Sequence, residues 1–174
     1  MSYNAHIPRA MAAGFAGTLL VTILVYAFAA IGYPQSGLNE LFGGILFENE
    51  PARFSWSWWV MMAWHFNFGA VLFPHIYAMF LGRELPGPAW QRGLLMGLGL
   101  ATVVEVLFKP MFGMGFFSSN LPSPAMAIFA SYLVHAVYGV TLATITGEVQ
   151  PAEEKAVDER AARGMHHHRM HLRH

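Results

Sequence analysis

The sequence predicts an all-α integral membrane protein, a four-helix bundle that carries an interfacial segment in its first outer loop. Composition is the first observation: 55% of the 174 residues are hydrophobic and 11% are charged, against roughly 25% charged in ordinary soluble domains. The second is where the charges sit. Five of the ten Lys and Arg (Lys155, Arg160, Arg163, Arg169, Arg173) and five of the ten acids (Glu148, Glu153, Glu154, Asp158, Glu159) fall between residues 148 and 174. The rest of the chain has almost nothing from which to make a solvated face. The third is a set of four apolar runs, each close to the ~20 residues a helix needs to cross a ~30 Å hydrocarbon core. Cysteine is absent, which excludes disulfides, thiolate metal sites and covalent haem attachment of the C-x-x-C-H type. A net charge of zero gives no reason to expect a nucleic-acid partner.

The first span is expected at about residues 10–31, after a short polar lead with one positive charge, Arg9. Ala27-Phe-Ala29 resembles a signal-peptidase site, but the apolar run is long for a signal peptide. Gly14, Ala16 and Gly17 suit helix packing, so the span is expected to be retained. Residues 32–57 connect it to the next. Asn39 can cap a short apolar helix there, weakened by Gly43 and Gly44, which reads as a segment lying on the membrane. Phe54, Trp56, Trp58 and Trp59 form an aromatic cluster at headgroup level. The second span, about 58–81, contains Pro74, which should kink it just before His75. Gly82 to Pro88 is a turn. The third span, about 90–112, is uncharged from Gly93 to Val104 and then meets Glu105 and Lys109. A polar turn over 118–124 leads to the fourth, about 125–145, closed by Gly147.

Arg9, Arg83, Arg92 and the five tail cations fall on one side of such a map, and the positive-inside rule places both termini in the cytoplasm. Residues 148–174 form a polar tail, expected to be largely disordered, that ends in GMHHHRMHLRH. His166, His167, His168, His171 and His174 could bind copper or nickel loosely. The simpler reading is a weakly basic tail beside anionic lipid.

One pattern occurs twice: His65-Phe-Asn-Phe-Gly69-Ala-Val-Leu72 and His135-Ala-Val-Tyr-Gly139-Val-Thr-Leu142, or H-x-x-[FY]-G-x-x-L. With Arg9 and Gly14 spaced like Arg92 and Gly97, it suggests a duplicated two-helix unit. In each copy the His and the Gly one turn on share a helix face. Two readings stay open. One is a b-type haem held by His65 and His135, with its ring in the flat gaps beside Gly69 and Gly139. The other is small-residue packing, with each imidazole hydrogen-bonded across a helix interface. In both, the two rings face the interior and the second and fourth helices are neighbours. His75 points away from His65 and lies deeper, so it reads as a kink residue. Glu105 is costly at membrane depth and marks a candidate functional position. Lys109, one turn on, reads as its ion-pair partner, its ammonium snorkelling outward. The alternative is a carboxylate that hydrogen-bonds His65 or His135.

The short spans, the repeated His-x-x-x-Gly and the Gly-rich third helix (Gly93, Gly97, Gly99) resemble small four-span bacterial inner-membrane proteins classed as a domain of unknown function, over about residues 9–147. That resemblance implies a fold and a bacterial membrane, and no activity. No nucleophile–base pair, phosphate loop or closed metal motif is present. The expected role is therefore non-enzymatic: an accessory or structural subunit of a larger membrane complex, a respiratory one being a candidate, with the bilayer, other membrane subunits or a second copy as partners. The alternatives are a haem-b electron carrier and an oligomeric proton or ion conduit through Glu105.

Overall fold

The chain turns wherever its sequence supplies a cap or a stop, and among the described residues every regular element is helical. The computed structural model describes residues 6–32 and 54–147. Most of the expected interfacial segment, and the His-rich tail with its five candidate metal ligands, lie outside them. Helix α1 is His6–Ala30. A second rod follows, made of α2 (Trp56–Asn67), a π-helical turn (Phe68–Leu72), α3 (Phe73–Ile76), a second π turn (Tyr77–Leu81) and α4 (Gly82–Glu84). The third rod is α5 (Ala89–Val103), a π turn (Val104–Phe108) and α6 (Lys109–Met111), and α7 is Pro124–Thr146. Ser55 caps α2 by accepting the Trp58 N–H at 3.2 Å, which meets one of the orphan donors of a helix start. Proline opens α7 in its first turn, where its missing N–H costs nothing. Gly147, at φ 79°, ends α7 and returns its N–H to the Ala143 carbonyl at 2.9 Å.

Three helices are long and apolar enough to cross a membrane: Ile7–Ala30, Ala89–Met111 and Pro124–Thr146. The expected second span is not one of them. It forms the helical rod Trp56–Glu84, but His65, Asn67, Pro74 and His75 dilute its apolar run.

The two prolines inside rods explain much of the local geometry. Within the first π turn the Phe73 N–H reaches back five residues to the Phe68 carbonyl. The same ladder would next pair Gly69 with the N–H of residue 74, but proline has none. The orphaned Gly69 carbonyl is met instead by the Tyr138 hydroxyl of α7, which donates to it at 2.6 Å. The third rod repeats the pattern: the Lys109 N–H reaches the Val104 carbonyl, and Pro110 follows. The kink expected at Pro74 is thus realised as π turns on either side of it, with Leu72, Phe73, Ile76 and Tyr77 all keeping right-handed helical angles.

Packing is antiparallel between chain neighbours. The second rod runs the length of α1, with Trp58 donating its indole N–H to the Tyr26 hydroxyl at 3.2 Å, Gly69 against Thr18 and Pro74 against Gly14. Helix α7 packs most extensively on α5 and then on α1. Gly93 and Gly97 of α5 lie against the backbone of Gly139 and His135, an approach that any side chain would prevent. The second rod and α7 are not the close neighbours expected from sequence. Helix α1 is wedged between them, and they meet chiefly through Tyr138, which also faces Phe73 at a ring-centroid distance of 6.4 Å. The core lies near the Arg9 end, where Ala10, Ala13, Tyr77, Ala78, Met96, Tyr138, Leu142 and Ala143 are buried together. Large apolar side chains such as Phe15, Ile23, Phe80, Leu107 and Phe129 cover the outside.

Two basic residues close that end. Arg9 donates from Nε to the Ile145 carbonyl at 2.8 Å, and Arg92 donates from Nη1 to the Gly82 carbonyl at 2.9 Å. Each places positive charge against the carbonyl-rich last turn of another rod.

A methyl at Gly93 would meet the Gly139 carbonyl, whereas the space beside Gly99 is open. Gly93→Ala should lower stability by about 1–3 kcal/mol through overpacking. Gly99→Ala should raise it by about 0.5–1 kcal/mol. Denaturant titrations in a mild detergent would compare the two. In the same assay Tyr138→Phe, which leaves the Gly69 carbonyl unmet, should cost about 1–3 kcal/mol.

Candidate functional site

Away from the core, toward the Ser118 end, each of the four rods contributes polar side chains. The third rod supplies Glu105 from its π turn and Lys109 from α6. Both are buried, with Glu105 0% and Lys109 3% exposed. Lys109 Nζ donates to Glu105 Oε1 at 2.5 Å and to Ser118 Oγ at 2.7 Å, and Ser118 Oγ donates to Glu105 Oε2 at 2.8 Å. The ring is closed, and both carboxylate oxygens are held. Lys109 therefore does not snorkel outward: the charge expected at the interface is turned inward. The desolvation cost of burying an ion pair is offset only when such extra hydrogen bonds are made.

Ser118 reaches the pair at the expense of its backbone. It belongs to a 3-10 turn, Phe116–Ser118, and both Phe117 (φ 49°) and Ser118 (φ 59°) lie in the left-handed region. Non-glycine residues rarely occupy it. The Asn120 N–H donates to the Met114 carbonyl at 3.0 Å and the Asn120 amide to the Gly113 carbonyl at 2.9 Å, which holds this loop in place.

Of the two repeated histidines, His135 lies beside this ring. His135 donates from Nδ1 to the Ser131 carbonyl at 2.7 Å, because a carbonyl can only accept. It lies within electrostatic range of Lys109 and Glu105, but neither histidine is hydrogen-bonded to Glu105, whose partners are Lys109 and Ser118. His65, on α2, meets the Thr22 hydroxyl of α1 at 3.1 Å through Nε2 and lies near the Thr18 backbone and His135. Thr22 and Thr18 each back-bond the carbonyl four residues earlier, at 2.8 and 2.7 Å, as hydroxyls in apolar helices do. His75 is apart from this group, its Nδ1 on the Val71 carbonyl at 2.7 Å.

The haem reading does not fit these residues. The flat gaps beside Gly69 and Gly139 are filled: a side-chain atom at Gly69 would run into Thr18, and one at Gly139 into the backbone of Gly93 and Gly97. Both glycines are points of helix contact, and no slot for a porphyrin remains beside them. His65 Nε2 is also engaged by Thr22. Among the described residues, no group of three or more His, Asp or Glu is placed to hold a metal ion.

Sequence reasoning identified Glu105, Lys109, His65 and His135 but missed Ser118 and Thr22. Ser118 carried no signal, since only the fold of its loop returns it to a helix nine residues back. Thr22 carried one: it precedes Glu105 by the same 83 positions that separate Arg9 from Arg92 and Gly14 from Gly97.

Removing one member of the closed ring should be costly. Ser118→Ala strips a hydrogen bond from each buried charge, at about 1.5–3 kcal/mol per bond to a charged group. Glu105→Gln leaves Lys109 buried without a counter-charge and should cost about 3–5 kcal/mol, while Glu105→Gln combined with Lys109→Met should recover most of that loss. A double-mutant cycle in detergent unfolding measures the coupling, and simple additivity would contradict it.

No curated protein and no solved structure matches the chain. A family model does match, over residues 5–157, which takes in all four rods. The chain belongs to that family, the family of unknown function DUF6789.

Proposed function

We propose that the chain is a four-span membrane protein of the bacterial inner membrane with both termini in the cytoplasm. It acts there as a non-enzymatic accessory or structural subunit of a larger membrane complex. The observation that carries this reading is how the interior polar groups are used. Glu105, Lys109 and Ser118 neutralise one another, Thr22 engages His65, and Tyr138 tethers the second rod to α7. These groups hold helices together and leave little with which to act on a substrate. The same closure weighs against a conduit through Glu105, whose two oxygens already have partners.

Four spans are supported by the course of the second rod. It lies antiparallel along α1 from Tyr26 to the Arg9 end, so a bilayer crossed by α1 is crossed by this rod too. Arg9, Arg83 and Arg92 share one end, which supports a cytoplasmic assignment for it. Recurring contacts support duplication. Gly14 meets Gly69 as Gly97 meets Gly139, and Arg9 and Arg92 each cap another rod. The copies have diverged, since α1 packs closely on α7 while the second and third rods share their closest contacts around the turn that joins them.

Two measurements test this reading. Reporter fusions after Gly32 and Ser119 should read as external and those after Gly87 and Gln150 as cytoplasmic; a cytoplasmic 32–57 loop overturns the map. In a native gel of gently solubilised membranes the protein should migrate with a species several times its own 19.3 kDa. Migration as a lone protomer, with nothing co-purifying, overturns the subunit role.

A further inference from the structure

The hydrogen bonds of the two histidines determine which ring nitrogen of each carries its proton. The Ser131 carbonyl accepts from His135 Nδ1 at 2.7 Å, so the proton is on Nδ1 and Nε2 is a bare acceptor. The single Thr22 hydroxyl proton is given to the Thr18 carbonyl at 2.8 Å. Thr22 Oγ1, 3.1 Å from His65 Nε2, must then accept from that nitrogen. The bare acceptor of His65 is therefore Nδ1. Among the described residues no donor meets either bare nitrogen. One turn before His135 on the same face of α7, Ser131 Oγ is buried and also lacks a partner.

Two acceptors and one hydroxyl without partners, each histidine one turn before the Tyr138–Gly69 hydrogen bond that joins the two rods, form an incomplete polar site. The cost of an unmet hydrogen-bonding group in apolar surroundings is several-fold larger than that of a solvated one. The Glu105–Lys109–Ser118 ring cannot relieve it, because its donors are spent on its own members.

We propose that the space between His65 and His135 is a binding site for a hydroxyl donor. The guest points O–H groups at His135 Nε2 and His65 Nδ1, and its oxygen accepts from Ser131 Oγ. Two sources share this chemistry: water, which supplies two donors and accepts in return, and the ring hydroxyls of a lipid-soluble hydroquinone. Each imidazole is oriented for the role, since its own N–H is anchored to backbone carbonyl, directly in His135 and through the Thr22–Thr18 relay in His65. The proposal goes beyond the subunit role and is independent of it.

The test is nitrogen NMR on the full chain, labelled with ¹⁵N-histidine and held in lipid nanodiscs, with and without tetramethylhydroquinone. His135→Phe and His65→Phe assign the two rings. The expected result is a protonated Nδ1 on His135, a protonated Nε2 on His65, and both remaining nitrogens shifted from the free-acceptor position toward the hydrogen-bonded one. If water is the guest, the hydroquinone leaves those shifts unchanged and the bonded protons exchange with solvent deuterium. If a hydroquinone is the guest, both signals move together and saturably on its addition, and the response is lost in His135→Phe. Thr22→Val keeps a measure available should either Phe variant fail to fold: it breaks the relay, so His65 should show a mixture of tautomers while His135 keeps one. Bare nitrogens at the free-acceptor position with and without hydroquinone, or a His135 protonated on Nε2, would overturn the proposal.

Discussion

A polar group inside these rods can be met only by another group of the chain or by a bound guest, because the outside is covered with large apolar side chains. Most of the tertiary structure follows from that constraint. Pro74 removes one backbone donor, the π turn before it leaves the Gly69 carbonyl without a partner, and Tyr138 is buried where its hydroxyl supplies one. The chain of causes begins with a single imino acid and ends by tying the second rod to α7. Threonines on α1 answer the same demand locally by bonding the carbonyl of the preceding turn. Arg9 and Arg92 answer it at the rod ends, where the last carbonyls have no helical partner.

The constraint acts most severely on Glu105 and Lys109. A buried pair is tolerable when its geometry is good and its remaining valences are met, and a third group is needed to meet them. Ser118 is that group, and the loop accepts two left-handed non-glycine residues to deliver it. Strain in the backbone and closure of the ring are thus two sides of one arrangement. The histidines stand in contrast. Each has one nitrogen satisfied by the chain and one left over, so the same rule that makes the ion-pair ring self-contained makes the histidine pair incomplete.

Close helix contacts complete the framework. Gly69 on Thr18 and Gly139 on Gly93 bring backbones together where any side chain would hold them apart, and dispersion between well-fitted surfaces stabilises such contacts without help from water. Those same glycines made haem attractive from sequence. A flat gap beside a histidine has two physical uses, and a single sequence cannot say which neighbour fills it.

The sequence by itself determined the all-helical class, three long apolar helices and most of their ends, because periodicity, caps, prolines and charge placement act over a few residues. It also singled out Glu105, Lys109, His65 and His135, since polar groups in apolar runs are costly wherever they point. Tertiary structure alone decided what each of them meets. Ser118 lies nine residues beyond Lys109 and returns only through an irregular loop. Thr22 reaches His65, and Tyr138 reaches the Gly69 carbonyl, across 43 and 69 positions. Such pairings depend on the rotation and height of whole helices about one another. Those are set by the summed packing of many small contacts, which no local pattern of residues encodes.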